Sequence, residues 1–212
     1  EEELYKPILS VGVGTLSFFG DIGDTVPGKD RINRAPFQGG FSYTLRLVNP
    51  INDYLDVAFY AMLGSTSVNQ TTESPLHPTP NGLLFRSSIK SGGITFNYNF
   101  NQLLKKGHIV EPYVHLGIEY LEYNSEVDTD PNDASNNYDS DVSIFSDDQP
   151  KNKYALGVPL EIGAHVHIGN KIKFRVGSAI HFTSTDYMYW INNSGSFPLG
   201  FGKDNLLFNH IA

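Results

Sequence analysis

The 212-residue chain predicts an all-β fold, an eight-stranded antiparallel transmembrane β-barrel with a closed lumen. Three observations predict it. Apolar residues recur with period two over long stretches. The stretches run to about ten or more residues, the length a tilted strand needs to cross a bilayer. The connections between them alternate between short and long.

The composition agrees. Phe and Tyr number 14 and 12, Gly reaches 20, and charged residues are 18%. That profile suits strands and turns better than a helical bundle. Cysteine is absent, which removes disulfides and thiolate metal sites. No apolar run is long enough for a membrane helix, which needs about 18 residues. A barrel shows lipid only one face of each strand, so it needs no such run. The chain opens at Glu1 without a basic and apolar leader, so an exported form is expected to have lost its signal peptide already.

Taken in order, strand one is expected at 8–19 and strand two at 35–48. In strand two, Phe37, Phe41, Tyr43, Leu45 and Leu47 alternate with Gln38, Gly40, Ser42, Thr44 and Arg46. Strand three, 53–65, sets Leu55, Val57, Phe59, Ala61 and Leu63 against Asp56, Ala58, Tyr60 and Met62. Strand four, 84–100, breaks parity: Ile94, Phe96, Tyr98 and Phe100 share a face, while Phe85 and Ile89 sit on the other. Gly92-Gly93 between them reads as a bulge that corrects the register.

Strand five, 109–123, alternates Val110, Val114, Leu116, Ile118 and Tyr120 with Glu111, Tyr113, His115, Gly117 and Glu119. Strand six, 154–168, is the clearest. Leu156, Val158, Leu160, Ile162, Ala164, Val166 and Ile168 form one face, and Gly157, Pro159, Glu161, Gly163, His165 and His167 the other. Strand seven, 172–183, opposes Ile172, Phe174, Val176, Ile180 and Phe182 to Lys173, Arg175, Gly177, Ala179 and His181. The eighth begins near Asn205 and is expected to be cut short at Ala212.

A soluble sandwich would show the same alternation with its faces exchanged. Strand length, a polar face rich in glycine and in both signs of charge, and aromatics near strand ends favour the barrel. Those aromatics are Phe18, Phe19, Phe96, Tyr98, Phe100, Tyr120, Tyr123, Tyr187, Tyr189 and Trp190, read as interfacial girdles. The short connections are Asn49 to Ile51, Gln102 to Gly107 and the hairpin Gly169-Asn170-Lys171; the long ones are 20–34, 66–83, 124–153 and 184–204. Short periplasmic turns and long extracellular loops, in the outer membrane of a Gram-negative bacterium, are the expected orientation and location, with outer-membrane lipid as the first partner.

Some local phrases resemble a family. Ser10 to Asp24 (SVGVGTLSFFGDIGD), Gly92 to Phe100 (GGITFNYNF), Glu111 to Glu119 (EPYVHLGIE) and Phe182 to Tyr187 (FTSTDY) are similar to OmpA-like outer-membrane barrels of the Bacteroidota, some of them accessory to gliding and type IX secretion. In several relatives calcium-binding repeats and a peptidoglycan-binding domain follow the barrel, and this chain carries neither. The resemblance implies that 1–212 is a single barrel domain whose C-terminal periplasmic region is missing here, with contacts to other envelope proteins and to peptidoglycan through that region.

Two constellations are candidate sites. Inward-facing Arg46, Asp56, Glu111, His115, Glu119, Glu161, His165, His167, Lys173 and Arg175 read as a lumen network. Strand pairing sets Glu111 near His165 or His167, His115 near Glu161, and His165 and His167 beside Arg175 and Lys173. Charges buried in so narrow an interior must be mixed in sign. His165 and His167 share a face, so a metal or proton site is the alternative to a purely structural network.

The second constellation is acidic. Eight acids and two lysines between Asn124 and Lys153 supply −6 of the formal −8. The near-neutral remainder excludes nucleic acid as a partner. Within that loop Asp128, Asp130, Asn132, Asn136 and Asp139 occupy positions 1, 3, 5, 9 and 12 of a twelve-residue window, the ligand order of an EF-hand calcium loop. Asp133 stands where that loop wants glycine, and Asp139 where it wants a bidentate Glu. A solvated acidic loop is the plainer reading; beyond this possible calcium no cofactor is expected. His181, Ser184 and Asp186 lie on one strand end with nothing to set a base against a nucleophile, so no enzyme is expected. The leading expectation is a non-enzymatic anchor or scaffold; the alternative is a surface-binding barrel.

Overall fold

The protein is represented by a computed structural model that describes residues 6–19, 39–70, 83–100, 109–128, 154–168, 172–184 and 205–212. The strands are β1 (Ile8–Phe19), β2 (Gly40–Pro50), β3 (Leu55–Gln70), β4 (Leu83–Asn99), β5 (Val110–Asp128), β6 (Tyr154–Ile168), β7 (Ile172–Thr183) and β8 (Asn205–Ile211). Each pairs antiparallel with the next, and β8 returns to β1, closing the barrel.

Closure rests on seven residues. β8 pairs with β1 over Val13 to Phe19 and with β7 over Val176 to Phe182. Ala212 adds two backbone hydrogen bonds with Arg175, at 2.7 and 2.8 Å.

The period-two pattern sorts faces as the sequence predicts. Val11 is 67% exposed, Phe41 77% and Ile118 69%, all on the outside, whereas Ser42, Thr95 and Glu161 are fully buried inside. A water-soluble barrel has the opposite polarity. An apolar outer belt around a polar interior is what a bilayer solvates.

The belt ends inside the ladder, which corrects the reading of β4. Register runs without interruption through Gly92 and Gly93 against both β3 and β5, so no bulge is present. Ile89 faces inward because parity never changes. What changes is the surroundings. The outward positions that follow Gly92 toward the long-loop end, Lys90, Ser88 and Arg86, are polar and exposed, with Lys90 paired to Glu122 at 3.3 Å. The strands outrun the lipid there, so the outer face meets water and apolar side chains turn to the lumen.

The same extension carries β3 to Gln70 and β5 to Asp128, past the expected ends at 65 and 123. It also moves Tyr123 out of the expected girdle and into the interior, where it is 3% exposed. The aromatics that do ring the belt include Tyr120 stacked on Tyr154 at one end and Tyr98 against Tyr54 and Phe100 at the other. Tyr187, Tyr189 and Trp190 lie outside the described residues.

The first short turn is displaced as well. Asn49 and Pro50 remain in the ladder opposite Val57 and Asp56, and the chain reverses over Ile51 to Tyr54. The Asn52 side-chain oxygen accepts from the Tyr54 and Leu55 amides, at 3.1 and 2.8 Å. That side chain, more than any glycine, fixes the corner. The Gly169 hairpin lies outside the described residues, but Ile168 and Ile172 pair across it.

Candidate functional site: the charged lumen

Inward residues fill the lumen in two storeys. Toward the long-loop end the filling is uncharged: Leu16, Met62, Ile89, Leu121, Leu206 and Phe208 are all at or below 1% exposure, among buried hydroxyls such as Ser87 and Ser125, whose oxygens lie 3.0 Å apart. Toward the short-turn end it is charged.

The register builds the charged storey from neighbours. Glu111 stands opposite His165 and His115 opposite Glu161 across β5 and β6. His165 stands opposite Arg175 and His167 opposite Lys173 across β6 and β7. Glu161 is the hub. Its carboxylate accepts from Arg175 Nη2 at 2.7 Å and Nε at 2.9 Å, and from Arg46 Nη2 at 3.0 Å on the other oxygen. His115 Nδ1 lies 3.1 Å from it, and His210 Nε2 lies 3.4 Å away. The Tyr113 hydroxyl donates to it as well. One carboxylate held by two guanidiniums is a charge-assisted arrangement that satisfies its lone pairs without water.

A second centre lies nearer the long-loop end. Glu119 accepts from the Tyr60 hydroxyl, and its other oxygen lies 2.8 Å from His181 Nδ1. Arg46 sits 5.3 Å from the centre of the Tyr60 ring and so bridges the two centres. Two arginines and two glutamates therefore balance at the heart of the lumen.

Glycines make this packing possible. Tyr60 and Glu119 both stand opposite Gly93, one on each side of β4. A Cβ at Gly93 would sit 2.8 Å from the Glu119 Cα and 2.9 Å from its Cβ. Tyr113 stands opposite Gly163, and Gly163 opposite Gly177. Its hydroxyl lies over both, within 2.5 Å of where either Cβ would be. The tyrosines reach across strands because the strands between carry no side chain.

The remaining expected residues form separate contacts at the short-turn mouth. Glu111 binds His167 at 2.7 Å and Lys173 at 3.5 Å. Asp56 accepts from Asn99 Nδ2 at 2.8 Å. His165 stacks on Tyr113 with centroids 4.5 Å apart, not on His167, so the two histidines do not converge on one point. No group of three metal-binding side chains occurs among the described residues.

Sequence reasoning missed Tyr60, Tyr113 and His210 as members of the network. Their inward parity was the available signal, together with the inward glycines beside them. His181, weighed for a rim site, belongs to the Glu119 centre, while Ser184 is exposed and its hydroxyl accepts from the Leu156 amide at 3.0 Å. Asp186 lies outside the described residues. In the acidic loop, Asp128 ends β5, and Asp130, Asn132, Asn136 and Asp139 lie outside the described residues.

No family model and no curated protein matches the chain. Among solved structures, Ail, the attachment invasion locus protein of Yersinia pestis, in complex with the heparin analogue sucrose octasulfate, aligns over 97% of this chain and 94% of its own, with 9% identity and a TM-score of 0.46. A second structure of Ail gives 9% identity, coverage of 97% and 93%, and a TM-score of 0.43. The outer membrane enzyme PagL gives 14% identity, 95% coverage of each chain and a TM-score of 0.36. Nothing about function follows from likenesses of this degree.

Proposed function

We propose that this chain is an outer-membrane barrel of a Gram-negative bacterium that serves as an anchor or scaffold subunit of a cell-envelope complex. The family its sequence phrases resemble would link such a subunit to peptidoglycan or to type IX secretion. One observation carries the reading: the lumen is filled by its own side chains, with Glu161 clamped between Arg46 and Arg175. An eight-stranded barrel has room for side chains or one small ligand and no open channel. With the interior occupied, the work of the molecule falls to its two ends and its outer wall. Purification from native membranes under mild detergent tests the proposal. A stable envelope partner in stoichiometric amount supports it; a barrel that emerges alone from cross-linked and uncross-linked membranes opposes it.

A second reading is favoured by the uneven charge. The segment between Asn124 and Lys153 carries −6 of the formal −8. A surface-binding barrel would use that loop to hold calcium or an external ligand.

A further inference from the structure

The outer face of β7, β8 and β1 departs from the apolar belt. Ser178 stands opposite Asn209, and Asn209 opposite Thr15. The three point outward and form a polar row across three adjacent strands. On β7 and β8 the row lies within the belt. Val176 and Ile180 flank Ser178 on β7, and Ile211 follows Asn209 on β8, all outward and exposed. Small side chains along the row, with Ala164 nearby, leave a shallow hollow between Phe41 and Ile162. None of the three side chains has a hydrogen-bond partner among the described residues. A carboxamide facing hydrocarbon without a partner is costly, and lipid tails offer none.

We propose that this face joins two copies of the chain side by side in the membrane, with the Asn209 carboxamides bonded to each other. The inference rests on the membrane-spanning reading above. A carboxamide carries both donor and acceptor, so it complements itself across a two-fold axis. An axis along the membrane normal keeps both copies in one orientation. It also places each Asn209 at the depth of its mate, which an unrelated partner would have to match separately. Ser178 and Thr15 flank the pair and supply hydroxyls that can bond across the same axis. The curvature of an eight-stranded wall turns β2 and β6 away, so the contact is confined to the three strands that carry the row.

The test uses the purified chain in lipid vesicles. Because it has no cysteine, Leu207→Cys places a single thiol on β8 next to the row, and Phe96→Cys places one on β4 across the barrel. Under mild oxidation, the Leu207→Cys protein is expected to form a disulfide dimer and the Phe96→Cys protein to stay monomeric. Adding Asn209→Leu should lower the Leu207→Cys dimer yield at least tenfold, while Asn209→Gln retains much of it. Equal cross-linking at both positions, or a yield indifferent to Asn209→Leu, overturns the proposal, as does a row occupied only by lipid or by another protein in native membranes. A chain that inserts but stays monomeric removes this inference alone. A chain that never inserts removes the membrane-spanning reading with it.

Discussion

Tyr60 donates its hydroxyl to Glu119 across the bare backbone of Gly93. The relation explains Gly93, one of a glycine pair that reads in the sequence as a bulge, and it shows how the lumen is packed. Bulky polar side chains reach over glycines to partners two strands away, so the interior is cross-braced in several directions at once.

Adding a methyl group to the matching passage under Tyr113 should be expensive. Gly177→Ala would set a Cβ 2.5 Å from the Tyr113 hydroxyl and 2.6 Å from Glu161 Oε1. Overpacking of this kind costs about 1–3 kcal/mol. Urea unfolding in detergent micelles should show that loss. Tyr113→Phe in the same chain should recover part of it, because one of the two clashing oxygens is gone.

The hub predicts an order of effects. Glu161→Gln leaves Arg46 and Arg175 buried together without their carboxylate. Arg175→Met leaves Glu161 still paired with Arg46. Breaking a buried pair from one side costs about 3–5 kcal/mol. Both variants should lose stability, Glu161→Gln the more. Equal stability of Glu161→Gln and the unsubstituted chain in equilibrium unfolding would contradict the assignment of Glu161 as hub.

The edge of the belt predicts a position dependence. Ile162→Arg puts a charge in mid-belt and should cost roughly 2–4 kcal/mol on folding into lipid, whereas Glu122→Arg, beyond the belt, should cost about 0–1. The Lys90–Glu122 pair is more than 45% exposed at each partner and contributes little by itself. Folding yields in bilayers of fixed thickness measure the difference.

The acidic loop gives a yes-or-no experiment. Calorimetric titration with calcium should show heat that Asp130→Asn with Asp139→Asn abolishes, if the surface-binding reading holds. No heat at millimolar calcium would remove it and leave the loop as a solvated segment.

Much of the barrel was legible because period two is a local signal. In β5, β6 and β7 every aliphatic position assigned to one face points outward, and the tight hairpin at 169–171 was enough to set His165 and His167 beside Arg175 and Lys173, whereas across the long 124–153 segment Glu111 could be set against either histidine. Two things were not legible. A strand that passes the membrane surface keeps its parity but reverses its polarity, so Ile89 read as a break in register and Tyr123 as a girdle residue. Nor does a period show which side chains cross to a distant strand. Tyr60 and Tyr113 read as ordinary alternation until Gly93, Gly163 and Gly177 are seen to clear their paths. In β8, seven residues with Leu206 and Phe208 inward and Leu207 and Ile211 outward carry too little contrast for parity to speak.

Depth-resolved quenching distinguishes an inside-out wall around a filled lumen from any other arrangement of these strands. Single cysteines at Leu116, Ile162 and Thr95 would each carry an environment-sensitive fluorophore in vesicles whose lipid tails bear bromine. Leu116 and Ile162 are 53% and 66% exposed on the outer face, and Thr95 is fully buried in the lumen. Strong quenching at Leu116 and Ile162 with little at Thr95 is the predicted result. Equal quenching at all three, or a chain that stays monomeric in water and ignores the vesicles, would contradict the account.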